Sequence, residues 1–277
     1  MRFFLGAELM NDDASRRGFL QAAASAGSLT VGAPGPPAEK VRYAELRPHE
    51  FRKRLAAHPI AWLPLGTLEW HGEHLPLGSD AIQSEGLMIE CARRFGGIVM
   101  PPIHLGPDRA RPADNGQMLY GMDYAASTTP ARQLDGSCYW VPLGLHVQIV
   151  DAILEQLKRA GFRAVFADGH GPSRTSWAQS LEERQTRFGL KLFGVTKDLA
   201  GKWRSQVDHA GRNETSLMMH LRGDLVDLSQ LPEDRSVKPV GVGGQDPRLG
   251  TAEFGRECLE ASVEIVGKML QEAGLLG

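Results

Sequence analysis

Three short segments of this chain carry acids and imidazoles at spacings that suit divalent-cation chemistry. The first is Leu65-Gly-Thr-Leu-Glu69-Trp-His71-Gly-Glu-His74-Leu-Pro-Leu-Gly-Ser-Asp80. The second is Asp168-Gly-His170-Gly171, and the third is Asp208-His209-Ala-Gly211-Arg-Asn213-Glu214. Residues two apart on an extended chain lie on the same side of it. Glu69 and His71 therefore converge if the apolar run at 60–65 continues as a strand through them. Asp80 follows a Gly-Ser pair and opens a predicted helix, so it can fold back toward them. The three segments supply enough donors for two divalent ions, with an aspartate as the natural bridge because a carboxylate has two oxygens. Two ions ~3.5–4 Å apart can share a hydroxide and polarise a carbonyl oxygen. Mixed nitrogen and oxygen donors suit zinc or manganese better than calcium or copper(I), with iron(II) as a further candidate.

The elements that must position these residues follow from periodicity and punctuation. Residues 60–65 read as a buried strand. Ser79 and Asp80 can cap a helix running to about residue 95, ended by Gly96-Gly97. A short strand is expected at 98–103, pushed toward an edge or an end by its prolines. Residues 105–138 are rich in Gly, Pro, Asp and Thr. That is long for a structureless loop, and such loops often carry function. An amphipathic helix is predicted at 145–160, a buried strand at 163–167, a helix at 173–188 and a strand at 190–195. A helix opening near 208 and running through 221, and a long one at 251–275, complete the chain. The alternation of strand and helix argues for an α/β layered fold around a largely parallel sheet. Ligands in such folds collect beyond the carboxyl ends of the strands. Glu69, His71 and His170 all sit at predicted strand ends and so could share one cleft.

The chain has 277 residues, enough for one large domain or two small ones. A net charge of -2 gives no basic field for nucleic acid or an anionic membrane. No apolar stretch approaches the ~20 residues needed to span a bilayer. Cys91, Cys138 and Cys258 are odd in number and far apart, so they read as packing or free thiols. The N-terminus differs in character. Ser15-Arg16-Arg17-Gly18-Phe19-Leu20-Gln21 resembles the twin-arginine export signal of bacteria, and a mildly apolar run and Pro34-Gly-Pro-Pro37 follow it. Residues 1–38 are thus expected to be signal and linker, and 39–277 the folded domain. The protein is expected in the periplasm or outside the cell, free of the membrane after export, and in the cytoplasm if the signal is not functional.

Taken together, the motifs resemble the creatininase (creatinine amidohydrolase) family. The matching residues are Leu65-Gly-Thr-Leu-Glu69-Trp-His71-Gly-Glu-His74-Leu-Pro, Asp80, Gly169-His170-Gly171 and His209-Ala-Gly-Arg-Asn-Glu214-Thr-Ser. A weaker match is Gly241-Val-Gly-Gly with Asp246-Pro-Arg248 and Thr251-Ala-Glu253-Phe-Gly255. The resemblance implies a three-layer αβα sandwich around a largely parallel sheet, a homo-oligomer that is often a hexamer, and a two-metal site. It also implies hydrolysis of carbon–nitrogen bonds other than ordinary peptide bonds in a small amide substrate, by a metal-bound hydroxide. The family includes formamide hydrolases and a mycofactocin precursor peptidase.

Carried over by the resemblance, Glu69, Asp80 and His170 ligate one metal, and His71 and Asp80 the other, with Asp80 bridging. In creatininase an acid two positions after the His170 equivalent completes the second site. Here that position is Pro172, and Glu214 is the substitute. His209 is the proton shuttle to the leaving nitrogen. His74 is expected to hydrogen-bond near the metal loop, and Asp168 to orient an imidazole or simply to shape a turn. Trp70 and Trp203 either line a pocket or pack. Two departures stand out: Asp168-Gly-His-Gly-Pro-Ser173 replaces the usual Asn-Gly-His-Gly-Gly-Asn, and Leu105-Gly-Pro-Asp-Arg-Ala-Arg111 replaces Tyr-Gly-x-Ser-x-Glu-His. Both argue against creatinine as the substrate. Beside the amidohydrolase reading stand two alternatives: a non-catalytic metal-binding or assembly protein with this fold, motivated by Pro172 and the altered middle segment, and a peptidase of short peptides, implied by one branch of the family. The export reading predicts that N-terminal sequencing of secreted material finds the first ~38 residues shortened by signal cleavage; an intact Met1 on all soluble protein would end it.

Overall fold

Strand β1 (Ile60–Leu65) is buried along its whole length. In the computed structural model, which describes residues 39–276, it lies near the middle of a four-stranded parallel sheet. The other strands are β2 (Ile98–Val99), β5 (Ala164–Gly169) and β6 (Lys191–Phe193), in the order β2-β1-β5-β6. A separate antiparallel hairpin, β3 (Ala110–Pro112) with β4 (Met118–Tyr120), lies in the long loop. The predicted export segment falls outside the described residues.

Both faces of the sheet are covered, so neighbouring residues of β1 serve different cores. Ile60 and Trp62 face one core with Ala164 and Phe166 of β5. Its helices are α2 (Ser79–Phe95), α7 (Arg212–Arg222) and α8 (Ala252–Glu272), with Leu199 of α6 (Lys197–Ala200) at its margin. Ala61, Leu63 and Leu65 face the other core with Val165 and Ala167. Its helices are α1 (Pro48–Ala57), α3 (Leu143–Ala160), α4 (Gly171–Gln179) and α5 (Leu181–Phe188). This is the three-layer αβα sandwich. Trp203 is packed inside the first core against Phe166, with ring centroids 6.2 Å apart, so it lines no pocket. Among the described residues, no helix is long and apolar enough to cross a membrane.

Strand order explains where a ligand can sit. From β1 the chain crosses over one face through α2 to β2. It then returns over the other face through α3 to β5, on the opposite side of β1. The reversal opens a crevice at the carboxyl ends of β1 and β5. Their register runs from Ile60 opposite Ala164 to Leu65 opposite Gly169. The next amide, of His170, donates to the Leu65 carbonyl at 2.9 Å. Gly169 has φ 148°, and a Cβ there would collide with the Leu65 carbonyl, so this closure requires glycine.

Several expected elements are shorter or broken. β1 stops at Leu65 and does not run through Glu69 and His71. Past Gly66 the ladder is lost, and the Glu69 amide turns to the Leu77 carbonyl and the Trp70 amide to Ser137 Oγ. The strand expected at 98–103 keeps two residues, because Pro101 and Pro102 have no N–H to donate. The helix expected at 173–188 breaks at Ser180, whose hydroxyl turns back to the Ser176 carbonyl. The expected caps of α2 are absent as well: its N-cap is Gly78, and the Ser79 hydroxyl donates to the Pro76 carbonyl.

Helix α8 is pressed onto α7, with Gly255 against the Ser216 carbonyl. A Cβ at 255 would collide with that oxygen and push α8 away. Gly255→Ala should therefore cost about 1–3 kcal/mol, a fall of several degrees in Tm for a domain of this size. An unchanged melting curve would contradict the close packing of these helices.

Candidate metal centre

The donors arrive from four places in the fold. Glu69 and His71 lie in the loop leaving β1, and Asp80 is the second residue of α2. His170 follows β5 directly, and Glu214 lies in the first turn of α7. This helix begins at Arg212, later than the predicted 208. The chain first takes a left-handed turn at Ala210, φ 52°. Asp208 then reaches forward to cap the helix, accepting from the amides of Asn213 and Glu214 at 2.9 and 3.2 Å. The backbone of His209 is braced by Gly243, whose amide donates to its carbonyl at 2.8 Å.

The structure brings all the predicted donors into one buried cluster and sorts them into overlapping groups. His71, Asp80 and Glu214 form one group, and Glu69, His170 and Asp108 another. Glu69, His71 and His209 form a third that joins them, each group having its donor atoms within 4.8 Å. His71 Nε2 lies 3.6 Å from Asp80 Oδ1 and 3.5 Å from Glu214 Oε2. His170 Nε2 lies 3.6 Å from Glu69 Oε1 and 4.0 Å from Asp108 Oδ2. Donors ~2.0–2.2 Å from a common ion sit roughly 3–3.5 Å apart, so a small contraction closes either group on a cation.

The imidazoles are held ready for this. His71 Nδ1–H donates to the Glu69 carbonyl at 3.1 Å, which leaves Nε2 turned toward Asp80 and Glu214. His170 Nδ1 pairs with Ser173 Oγ at 3.0 Å. His209 Nε2–H donates to the Trp70 carbonyl at 2.8 Å, so Nδ1 faces Glu69 Oε1 at 3.9 Å. His71 Nε2, His170 Nε2 and Asp80 Oδ2 are buried without any hydrogen-bond partner. Leaving such an atom unpaired costs about 1–3 kcal/mol. Three in one cluster of acids and imidazoles are what a divalent cation satisfies, and the residues fit one.

Electrostatics point the same way. Burial holds His170 neutral, its pKa pushed down to about 4. Burial, with His71 beside it, pushes His209 down to about 3. Burial opposes charge on His71 too, but Asp80, Glu214 and Glu69 around it push its pKa up to about 10. Burial raises Glu214 to about 8, with Asp80 adding to the effect. Burial and Asp80 together raise Glu69 well above the usual carboxylate range. Burial also works against Asp80, yet the facing His71 holds it below its ordinary value.

The supporting residues are now placed. His74 makes the expected structural bond, Nε2 to Thr215 Oγ1 at 2.9 Å, tying the metal loop to α7. Asp168 orients no imidazole; it is buried in an ion pair with Arg174, which also donates to the Ser205 and Gln206 carbonyls. The Trp70 indole donates to the Val240 carbonyl at 2.9 Å. Sequence reasoning missed Asp108 and the aromatic wall beside it. Trp140 lies 5.8 Å from the His170 ring and stacks on Tyr120 at 6.4 Å. The unusual length of the 105–138 segment was the signal available for both Asp108 and Tyr120.

The family model for creatininase, described as creatinine amidohydrolase, matches residues 44–270. The creatinine amidohydrolase of Pseudomonas putida is 28% identical over 268 residues, 84% of this chain and 97% of that protein. The mycofactocin precursor peptide peptidase of Mycobacterium ulcerans (strain Agy99) is 22% identical over 234 residues, 74% of this chain and 82% of that protein. Among solved structures, a manganese creatininase superposes with TM-score 0.63 at 21% identity, covering 85% of this chain and 99% of that one. A zinc–zinc form of a creatininase mutant gives 0.64 at the same identity and coverage. With the family model spanning the whole stretch that supplies the donor cluster, the chain belongs to the creatininase family.

Proposed function

We propose that this protein is a hydrolase using two divalent ions, zinc or manganese, to cleave a carbon–nitrogen bond in a cyclic amide, a formamide or a related small molecule. One observation carries the reading: a buried ring of acids and imidazoles in which His71 Nε2 and His170 Nε2 have no partner. His71, Asp80 and Glu214 would hold one ion, and Glu69 and His170 the other, with Asp80 beside both. Glu214 does from α7 what the acid replaced by Pro172 does in creatininase. Bound ions would supply Lewis acidity toward the amide carbonyl and lower the pKa of water.

The chain's own groups manage the proton and the fit. His209 is neutral at physiological pH, and its Nδ1 lone pair faces the cluster. That atom can accept a proton as water attacks and pass it to the leaving nitrogen. The hydrogen bond from Nε2–H to the Trp70 carbonyl fixes the tautomer this requires. Trp140 and Tyr120 offer a flat apolar wall beside His170, suited to a planar amide. Cleavage of short peptides is the second reading, favoured by the likeness to the mycofactocin precursor peptide peptidase. On the same reading the protein works as a homo-oligomer, a hexamer by family likeness, after export to the periplasm.

Purified protein screened with lactams, formamides and short peptides should turn over at least one class in a metal-dependent way. Asp80→Ala should lose both metal and activity. His209→Ala should keep its metal and lose roughly 10²–10⁴-fold in turnover. Full metal and full turnover in Asp80→Ala would overturn the assignment, and metal binding without turnover of any class would favour the non-catalytic alternative.

Metal affinity should also climb with pH. To ligate, His71 must give up a proton held up to about pH 10, and Glu214 one held up to about pH 8. Loading therefore releases protons, and affinity falls as the pH drops. Calorimetry between about pH 6 and about pH 8, in buffers of different ionisation enthalpy, would measure that release; an affinity independent of pH would contradict it.

A further inference from the structure

We infer that Asp108 is a ligand of the same ion as Glu69 and His170, adding a carboxylate to that ion's donors. This rests on the two-ion reading above and adds a residue to it. The family's pattern has Ser where this chain places Asp108, so the change brings a new carboxylate to the cleft.

The geometry is specific. The Asp108 side chain is 6% exposed, although it lies in a surface loop. Its Oδ1 is occupied by the Arg109 amide at 2.6 Å, as a turn-forming aspartate's would be. Its Oδ2 lies 4.0 Å from His170 Nε2, and Glu69 Oε1 lies 3.6 Å from the same nitrogen. That nitrogen belongs to a side chain only 2% exposed and has no hydrogen-bond partner. The nearby guanidinium, of Arg109, is 3.8 Å from Oδ1 on a side chain 75% exposed, so solvent screens most of its charge.

The loop is held so that this placement is fixed. His146 on α3 binds the Leu105 carbonyl through Nδ1 at 2.9 Å. The Val141 amide donates to Gly106 and the Gly121 amide to Arg109, at 3.2 and 3.0 Å. Gly121, φ 46°, makes the room: a Cβ there would collide with Asp108 Oδ2. Asp108 therefore completes a second trio of two carboxylates and one imidazole, matching His71, Asp80 and Glu214. Four carboxylates then balance the four positive charges of two divalent ions.

Elemental analysis and manganese titration followed by electron paramagnetic resonance would test this in wild type, Asp108→Asn, His170→Ala and Glu214→Gln. Asp108→Asn should weaken one of the two ions by at least about tenfold. It should be the ion lost in His170→Ala and retained in Glu214→Gln. Two ions held at wild-type affinity by Asp108→Asn would overturn the inference and leave the two-ion reading standing. A wild-type protein that binds no divalent ion would overturn both. Should Asp108→Asn misfold, Asp108→Cys loaded with cadmium decides. A thiolate-to-cadmium charge-transfer band absent from wild type supports ligation, and its absence rejects it.

Discussion

Mutual repulsion among buried carboxylates is the constraint around which this structure is arranged. Glu69, Asp80, Asp108 and Glu214 crowd into one site with little access to water. Isolated, each would resist ionisation there, because burial penalises charge and neighbours of like sign add to the penalty. Burial dominates the raised pKa values of Glu69, Asp108 and Glu214, while Asp80 stays ionised against His71. Such a cluster is poorly stable as a mere structural core. It makes physical sense as a cation receptor, where the repulsion becomes binding energy.

The fold supplies positions that ease this burden. Asp80 and Glu214 both occupy the first turn of a helix, α2 and α7, where the helix dipole favours negative charge. The two helices pack in the same core as α8, so the acids are carried by braced elements. Glu69 and His170 leave adjacent parallel strands at the crevice opened by the strand order. The imidazoles are locked by backbone or hydroxyl partners on one nitrogen, which leaves the other free to ligate.

Much of this was legible in the chain. The apolar run of β1, the amphipathic α3 and the Gly-His-Gly after β5 marked the layered fold and the strand ends that carry donors. Family motifs picked out Glu69, His71, Asp80, His170, His209 and Glu214. What stayed hidden depends on particular side-chain contacts. The break at Ser180 follows from a local hydroxyl-to-carbonyl bond that helix periodicity does not register. The partner of Asp168 is Arg174 on the following helix, a choice that only the fold reveals. Asp108 sits in a loop with no periodicity, and its part in the cluster depends on the anchoring of that loop by His146.

The donors are strung along the chain from Glu69 to Glu214, and they belong to two helices, the ends of two strands and a long loop. All three cysteines are free, so no disulfide ties these segments together. Any cation seated between them bridges segments that span most of the domain. Because it binds the folded chain and is released on unfolding, it adds its binding energy to the folded side of the equilibrium. Metal loading and resistance to unfolding would then share one origin.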